Sequence, residues 1–186
     1  MSDLRTLVTQ AAVELSDAAA AVDPLQLAAL IDAIAAARRI VLHGLGREGL
    51  MMRALAMRLY HAGLDAHVLG DMSCPPVGAG DLFLISAGPG DFATILGLVQ
   101  VAKRAGARVA CVTAVPQAPV PAACDQLLVI PAQTMATDQT PSGSILPMGS
   151  LFEGAQFLVF EVLILMLSAR LGISPATMRD RHTNLE

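Results

Sequence analysis

Short apolar strand patterns alternate with helical patterns along most of this chain, and this alternation restricts the fold more than any other feature. Runs that favour β-structure cover residues 39–43, 66–69, 82–85, 108–113 and 126–130. Helical spacing of apolar residues separates several of these runs, and glycines follow the helices. Strands that alternate with helices form a parallel sheet covered by helices on both faces. The sequence therefore predicts an α/β fold.

Helices are also expected at both ends of the chain. Apolar residues recur at helical spacing from Leu4 to Val22, and Asp23-Pro24 then supplies a cap and a first-turn proline for a second helix. A long helix is predicted over residues 148–171, and a short one follows Ser174-Pro175. Residues 115–121 are proline-rich and interrupt the pattern, whereas residues 131–147 form a polar loop of a length that often borders an active site.

The length of 186 residues fits one domain with a substantial core. We expect a single domain that comprises N-terminal helices over residues 2–37, an α/β core over 38–171, and a C-terminal helix and tail over 172–186. Hydrophobic residues make up 54% of the chain and charged residues 15%, so part of the apolar surface is expected to face other subunits. The composition thus favours an oligomer.

Charge, cysteine usage and the absence of sorting signals exclude several classes. The net charge is −4 and the 12 Lys and Arg residues are scattered, which argues against nucleic-acid binding. Three cysteines without a C-x-x-C spacing suggest reduced thiols, and no targeting signal is evident, so we expect a cytoplasmic protein. The apolar run 157–167 is interrupted by Glu161 and is too short for a membrane span, so we expect no membrane partner.

Two glycine-rich turns each follow a predicted strand and open a helix. The first, Gly44-Leu45-Gly46-Arg47-Glu48-Gly49, meets the spacing of a dinucleotide-binding turn, and Asp71 lies at about the distance expected of a ribose ligand. Nucleotide binding through Gly44, Gly46, Gly49 and Asp71 is thus an alternative, although Glu48 would place a carboxylate beside the anion. The second turn is Ser86-Ala87-Gly88-Pro89-Gly90-Asp91, in which Asp91 could cap the helix or face a ligand. Both turns belong to one crevice at the carboxyl ends of the strands.

Read together with Pro147-Met148-Gly149-Ser150-Leu151-Phe152-Glu153 and the terminal Arg181-His182-Thr183-Asn184-Leu185-Glu186, these turns resemble the sugar isomerase (SIS) family. Within that family, the two segments are most similar to the 6-phospho-3-hexuloisomerases. The resemblance covers nearly the whole chain. It implies a three-layer, flavodoxin-like domain with a five-stranded parallel sheet, a homotetramer, and no metal or cofactor.

The resemblance also implies a reaction and its acid–base groups. A 3-hexulose 6-phosphate would be interconverted with fructose 6-phosphate through an enediol, which requires a base that carries a proton between adjacent carbons. Glu153 matches the family's proposed base, and His182 matches a second acid or base. By residue type alone, an ordinary first-turn helix carboxylate is the favoured interpretation of Glu153, and an exposed tail residue is the favoured interpretation of His182.

Substrate or phosphate binding is expected at a further set of positions: Gly46, Arg47, Glu48, Ser73, Ala87, Gly88, Gly90 and Asp91, with His61 as an additional candidate. The chain departs from the family here, because Glu48 replaces a serine of the first turn, and Ala87, Pro89 and Phe92 replace hydroxyl residues of the second. Three explanations are open. The remaining amides and Arg47 bind the phosphate, the substrate lacks a phosphate, or the site has drifted and the protein is a non-catalytic or altered-specificity module that binds a sugar derivative.

Overall fold

The fold is built on a five-stranded parallel sheet with strand order β2-β1-β3-β4-β5. The computed structural model describes residues 3–139 and 144–185. The strands are β1 (Ile40–His43), β2 (Ala66–Val68), β3 (Leu82–Ser86), β4 (Arg108–Thr113) and β5 (Gln126–Val129). Ile40 of β1 pairs with Leu82 of β3, and Leu84 of β3 pairs with Ala110 of β4. The direction in which successive strands are added to the sheet reverses between β1 and β3, and this reversal marks the topological switch point.

Helices cover both faces of the sheet, as the sequence predicts. They are α1 (Leu4–Ala20), α2 (Pro24–Ala36), α3 (Gly46–His61), α4 (Ala93–Arg104), α5 (Pro119–Ala122), α6 (Ser150–Leu171) and α7 (Pro175–Asp180). One apolar core lies between the sheet and the layer that contains α2, α3 and α6. A second core lies between the sheet and α4 with α5. The predicted three-layer α/β/α class is therefore confirmed.

Local capping explains several helix ends. The Asp23 carboxylate accepts a hydrogen bond from Leu25 N at 2.8 Å at the start of α2, and the Ser174 hydroxyl accepts one from Thr177 N at 3.1 Å at the start of α7. Gly172 ends α6 with a left-handed φ of 66°, a conformation that glycine adopts without a steric cost. All three ends lie where the sequence places them.

Three local features differ from the sequence expectation. The first glycine turn is expected to lead into a helix, whereas α3 already begins at Gly46 within that turn, because the turn itself forms the first helical turn. The helix α6 begins at Ser150 rather than Met148, because Met148 has a left-handed φ of 54°. The proline-rich segment contains the short helix α5, since Pro119 fits the first position of a helix.

The long helix α6 is apolar on almost every side. By length and hydropathy alone, residues 150–171 satisfy the requirements of a membrane span. One face of α6, which includes Phe152, Val159 and Leu163, is nevertheless buried in the core beside α2 and α3. We therefore describe α6 as the central core helix of a folded domain. Its first turn reaches the carboxyl edge of the sheet.

Candidate active site

A cavity of about 370 Å³ lies at the carboxyl edge of the sheet. It is bounded by the turns after β1 and β3, by the segment around Thr134, and by the first turn of α6. The lining residues are Leu45, Gly46, Arg47, Glu48, Pro89, Phe92, Thr134, Met135, Ala136, Gly149, Phe152 and Glu153. Three of them are charged, and most of the others are apolar. The cavity thus presents two carboxyl groups and one guanidinium within an otherwise apolar wall.

The first glycine turn brings the start of α3 against the end of β1. A Cβ atom on Gly49 would lie 2.5 Å from the carbonyl oxygen of Gly44, so this approach excludes any larger residue. Gly46 has a φ of 54° and open space beside it. Because the first amides of a helix have no acceptor within the helix, those of Gly46 and Arg47 are available to an anion in the cavity.

The Glu48 side chain points inward rather than to solvent. Its Oε2 atom accepts a hydrogen bond from Ser86 Oγ at 2.5 Å and another from Gly88 N at 2.9 Å. Only 8% of the residue surface is accessible. Burial raises the pKa of Glu48, and the nearby Glu153 carboxylate raises this pKa further, while the two hydrogen bonds oppose the change. Glu48 therefore occupies the amide that the second turn would otherwise offer to a ligand.

The second glycine turn is held by close packing. A Cβ atom on Gly88 would lie 2.8 Å from the Phe152 ring and 2.9 Å from Glu48 Oε1, so only glycine fits there. Gly90, with a φ of 80°, packs against Ala118. Ala87 is fully buried in the second core, so its position does not support the expected contact with a ligand.

Asp91 is exposed, and Phe92 rather than Asp91 is the N-cap residue of α4. The interpretation of Asp91 as a helix cap is therefore wrong, because the helix begins one residue later than a cap at Asp91 requires. Asp91 also does not line the cavity described above. Its expected role in ligand binding stays a prediction.

Glu153 projects into the cavity from the first turn of α6. Its side chain is only 13% exposed, and its Oε2 atom forms an ion pair with Arg47 Nε. This contact lacks hydrogen-bond geometry, so Oε2 accepts no hydrogen bond from the part of the chain that the structure describes. The Gln133 side chain donates to Met148 O at 3.0 Å and so fixes the turn that leads into α6. The carboxylate is thus positioned, partly buried and open to a ligand.

His182 lies far from this cavity within one chain. Its ring packs against the ring of His61, with centroids 5.2 Å apart, and Arg181 Nη1 donates to His61 O at 3.2 Å. His61 ends α3, whereas the cavity lies at the start of α3, and a helix of 16 residues is ~24 Å long. The structure therefore brings His61 and His182 together, but neither of them to Glu153 of the same chain.

The two remaining candidates lie on the loop after β2. Ser73 is exposed in a turn and does not line the cavity. Asp71 forms an ion pair of 3.2 Å with Arg53 of α3, which occupies the carboxylate that a ribose would require. Gly44 and Gly49 pack against each other. This arrangement gives no support to the nucleotide alternative.

Sequence reasoning missed the roles of Ser86, Phe152 and the segment 134–136. Ser86 was recognised only as the start of a glycine turn, although its hydroxyl holds Glu48. Phe152 was noted within a motif, although its ring closes the cavity against Gly88. Thr134, Met135 and Ala136 lie in the loop after β5, and their contact with the cavity depends on how that loop folds back. Loop length was the only signal that pointed to this segment.

The fold and this cavity together define a sugar isomerase (SIS) domain. A hypothetical protein from Methanococcus jannaschii, whose crystal structure infers a molecular function of 3-hexulose-6-phosphate isomerase, superposes with a TM-score of 0.80. The match covers 98% of each chain at 24% sequence identity, and so it supports the shared fold.

Sequence similarity identifies the family within this class. The chain is 39% identical to a 3-hexulose-6-phosphate isomerase from Mycobacterium gastri, over 93% of this chain and 86% of the relative. It is 34% identical to a 3-hexulose-6-phosphate isomerase from Bacillus subtilis, over 93% and 94% of the two chains. No protein-family model matches the chain. The chain belongs to the 3-hexulose-6-phosphate isomerase family.

Proposed function

We propose that this protein is a sugar-phosphate isomerase that interconverts a 3-hexulose 6-phosphate with fructose 6-phosphate through an enediol. The observation that carries the proposal is the position of Glu153, a partly buried carboxylate that faces the cavity between the two glycine turns. The reaction moves a carbonyl between adjacent carbons and is redox-neutral overall, so its chemistry requires no redox cofactor. Membership of the 3-hexulose-6-phosphate isomerase family supports this substrate class.

The base in this reaction is Glu153. It would take a proton from the carbon beside the carbonyl and return it to the former carbonyl carbon. A carboxylate performs this step well when it is partly desolvated and held close to the substrate. The ion pair with Arg47 keeps the carboxylate at the cavity wall. His182 remains the proposed second acid or base, and it could reach a cavity only as a residue of a neighbouring subunit.

The phosphate group of the substrate would bind at the start of α3. The amides of Gly46 and Arg47 and the Arg47 guanidinium provide donors and positive charge. The second turn contributes less, because Glu48 occupies Gly88 N and Pro89 has no amide proton. Ser73, Gly90, Asp91 and His61 do not line this cavity in one chain, so any role of these residues would involve ligand-induced movement or another subunit.

The protein is also proposed to be a cytoplasmic homo-oligomer. Exposed apolar side chains recur along α6, among them Phe157, Leu158, Val162, Leu165 and Met166. A helix that is apolar on all sides is normally covered on all sides. An assembly of four chains, as the family resemblance implies, would cover this surface.

Proton exchange with solvent tests the role of Glu153 directly. Fructose 6-phosphate is incubated with the protein in D₂O, and NMR follows both 3-hexulose 6-phosphate formation and deuterium incorporation beside the carbonyl. We expect turnover by the wild type, and a loss of about 10²–10⁴-fold in kcat for Glu153→Gln, since the amide cannot accept the proton.

The matched control is Glu161→Gln. Glu161 lies on the same helix, forms an ion pair of 3.4 Å with Arg58, and does not line the cavity, so its replacement should leave kcat unchanged. Equal kcat values for wild type and Glu153→Gln would reject the base. Thermal stabilisation by fructose 6-phosphate without any turnover would instead favour the second candidate function, a SIS module that binds a sugar derivative. This candidate is favoured by the inward position of Glu48, because its carboxyl group occupies the Gly88 amide that would otherwise bind the substrate phosphate.

A further inference from the structure

Two carboxyl groups line the cavity from different elements, and their surroundings differ. Glu48 projects from the first turn of α3, and Glu153 projects from the first turn of α6. The proposed function uses Glu153 as the base and leaves Glu48 as an obstacle to an anion. The contacts of Glu48 are more specific than the mere exclusion of an anion would require.

Both hydrogen bonds to Glu48 fall on the same oxygen of its carboxyl group. Ser86 Oγ and Gly88 N both donate to Oε2, which leaves Oε1 as the oxygen that can hold a proton. Within the described residues, the hydrogen bonds of the Glu48 carboxyl group all involve Oε2 and none involves Oε1, and Glu48 is one of the residues that line the cavity. A proton on Oε1 would therefore be available to a ligand in the cavity.

The guanidinium beside Glu153 favours the negatively charged form of that carboxyl group. The Arg47 guanidinium contacts Glu153 Oε2, and within the described part of the chain no cation contacts Glu48. When two carboxyl groups share one site, the member next to the cation carries the negative charge and the buried member keeps the proton. The pair thus divides into one carboxylate and one carboxylic acid.

The titratable groups around Glu48 favour the same division. Glu153 faces it from α6 and Arg47 precedes it on α3, while Ser86 and Gly88 contribute only neutral donors from β3 and its turn. The pKa of the buried Cys111 thiol of β4 is raised, chiefly by Cys124 and by burial and to a smaller extent by Glu48, so this thiol adds no charge beside Glu48. Burial and the Glu153 charge both raise the pKa of Glu48, and the hydrogen bonds from Ser86 and Gly88 oppose this rise without cancelling it.

We propose that Glu48 is a catalytic acid of the isomerisation, which donates the proton that the substrate carbonyl oxygen acquires as Glu153 removes the carbon-bound proton. This inference rests on the proposed isomerase function. It places both halves of the proton transfer in one subunit, whereas His182 of the same chain lies at the other end of α3.

The proton balance of the step closes. In the direction of fructose 6-phosphate, Glu153 takes the proton from C2 while Glu48 gives its proton to the oxygen on C3, which forms the enediol. Glu48, now a carboxylate, takes the hydroxyl proton from the oxygen on C2, and Glu153 returns its proton to C3. The C2 carbonyl forms, and both residues regain their starting protonation states.

The pH profile of kcat tests this role. Because the acid must be protonated, kcat of the wild type should fall as the pH rises above the raised pKa of Glu48. Glu48→Gln keeps the shape and accepts the same hydrogen bonds, but it cannot donate and recover a proton. We expect a loss of about 10²-fold or more in kcat, a smaller change in KM, and disappearance of the alkaline limb.

Ser86→Ala provides the second variant. The Ser86 hydroxyl lowers the pKa of Glu48, so its removal should move the alkaline limb to higher pH while turnover continues. A merely structural role of Ser86 would change stability without moving this limb. An unchanged kcat and alkaline limb in Glu48→Gln, with an active wild type, would overturn the acid role and leave the proposed function intact.

Carboxyl NMR provides a readout that does not depend on turnover. In protein labelled with ¹³C at the glutamate carboxyl, the resonance absent from Glu48→Gln is assigned to Glu48. We expect it to titrate at higher pH than the exposed glutamates. A resonance that titrates together with the exposed glutamates would overturn the inference. Absence of turnover by the wild type would overturn the proposed function, and the acid role with it.

Discussion

Glu48 is a carboxyl group whose burial affects folding as well as chemistry. Its pKa is raised in the folded protein above the ordinary value of 4.5, chiefly because burial disfavours the charged form. Below pH 4.5 both the folded and unfolded states hold the proton, so the raised pKa of Glu48 does not lower the free energy of unfolding. As the pH rises through the folded-state pKa, the unfolded state has already released its proton and stability is lost.

The Glu48→Gln substitution should remove this loss of stability. We expect the variant to gain free energy of unfolding relative to the wild type as the pH rises from about 4.5, by about 1.4 kcal/mol for each unit by which the pKa is raised. Urea unfolding at a series of pH values measures the difference. A difference that stays flat with pH, or that shrinks as the pH rises, would contradict the neutral state of Glu48.

At the scale of elements, two helix glycines differ in the space that surrounds them. Gly97 lies on the exposed face of α4, with no atom within 4 Å of the position of an added Cβ. At Gly154 of α6, an added Cβ would lie 2.5 Å from Leu15 Cδ2 of α1, so the two helices approach closely there. Alanine in an exposed helix interior is favoured over glycine by about 1 kcal/mol.

We therefore expect Gly97→Ala to stabilise the protein by about 1 kcal/mol, and Gly154→Ala to give a smaller gain or a loss, because Leu15 must move. The midpoint and slope of urea unfolding measure both changes on the same scale. Equal gains at the two positions would show that the α1–α6 contact tolerates the extra methyl group.

The sequence predicted elements better than it predicted contacts between them. The five strands and most helices follow from local periodicity and capping residues such as Asp23 and Ser174, whose effects are confined to a few neighbouring residues. The start of α3 at Gly46 does not follow from the sequence, because a glycine turn can be either loop or helix. The inward direction of Glu48 depends on Ser86 and Gly88, which lie about 40 residues away in sequence, so no local pattern could reveal it.

At the scale of the whole molecule, the remaining apolar surface is concentrated on the layer that contains α6. Leu165 is 71% exposed on α6, and Val101, on α4 in the opposite layer, is 52% exposed. If α6 lies between subunits, Leu165→Glu buries an unpaired charge in the assembly and separates the subunits, whereas Val101→Glu leaves a charge in water. We expect the wild type and Val101→Glu to sediment as one oligomer, and Leu165→Glu to sediment as smaller species with its circular dichroism spectrum retained. A monomeric wild type would refute the assembly, and an intact Leu165→Glu oligomer would place the subunit contact elsewhere.

Because His182 could reach a cavity only from another subunit, a dissociated Leu165→Glu that kept full kcat would remove that histidine from the chemistry and leave both proton transfers to Glu48 and Glu153.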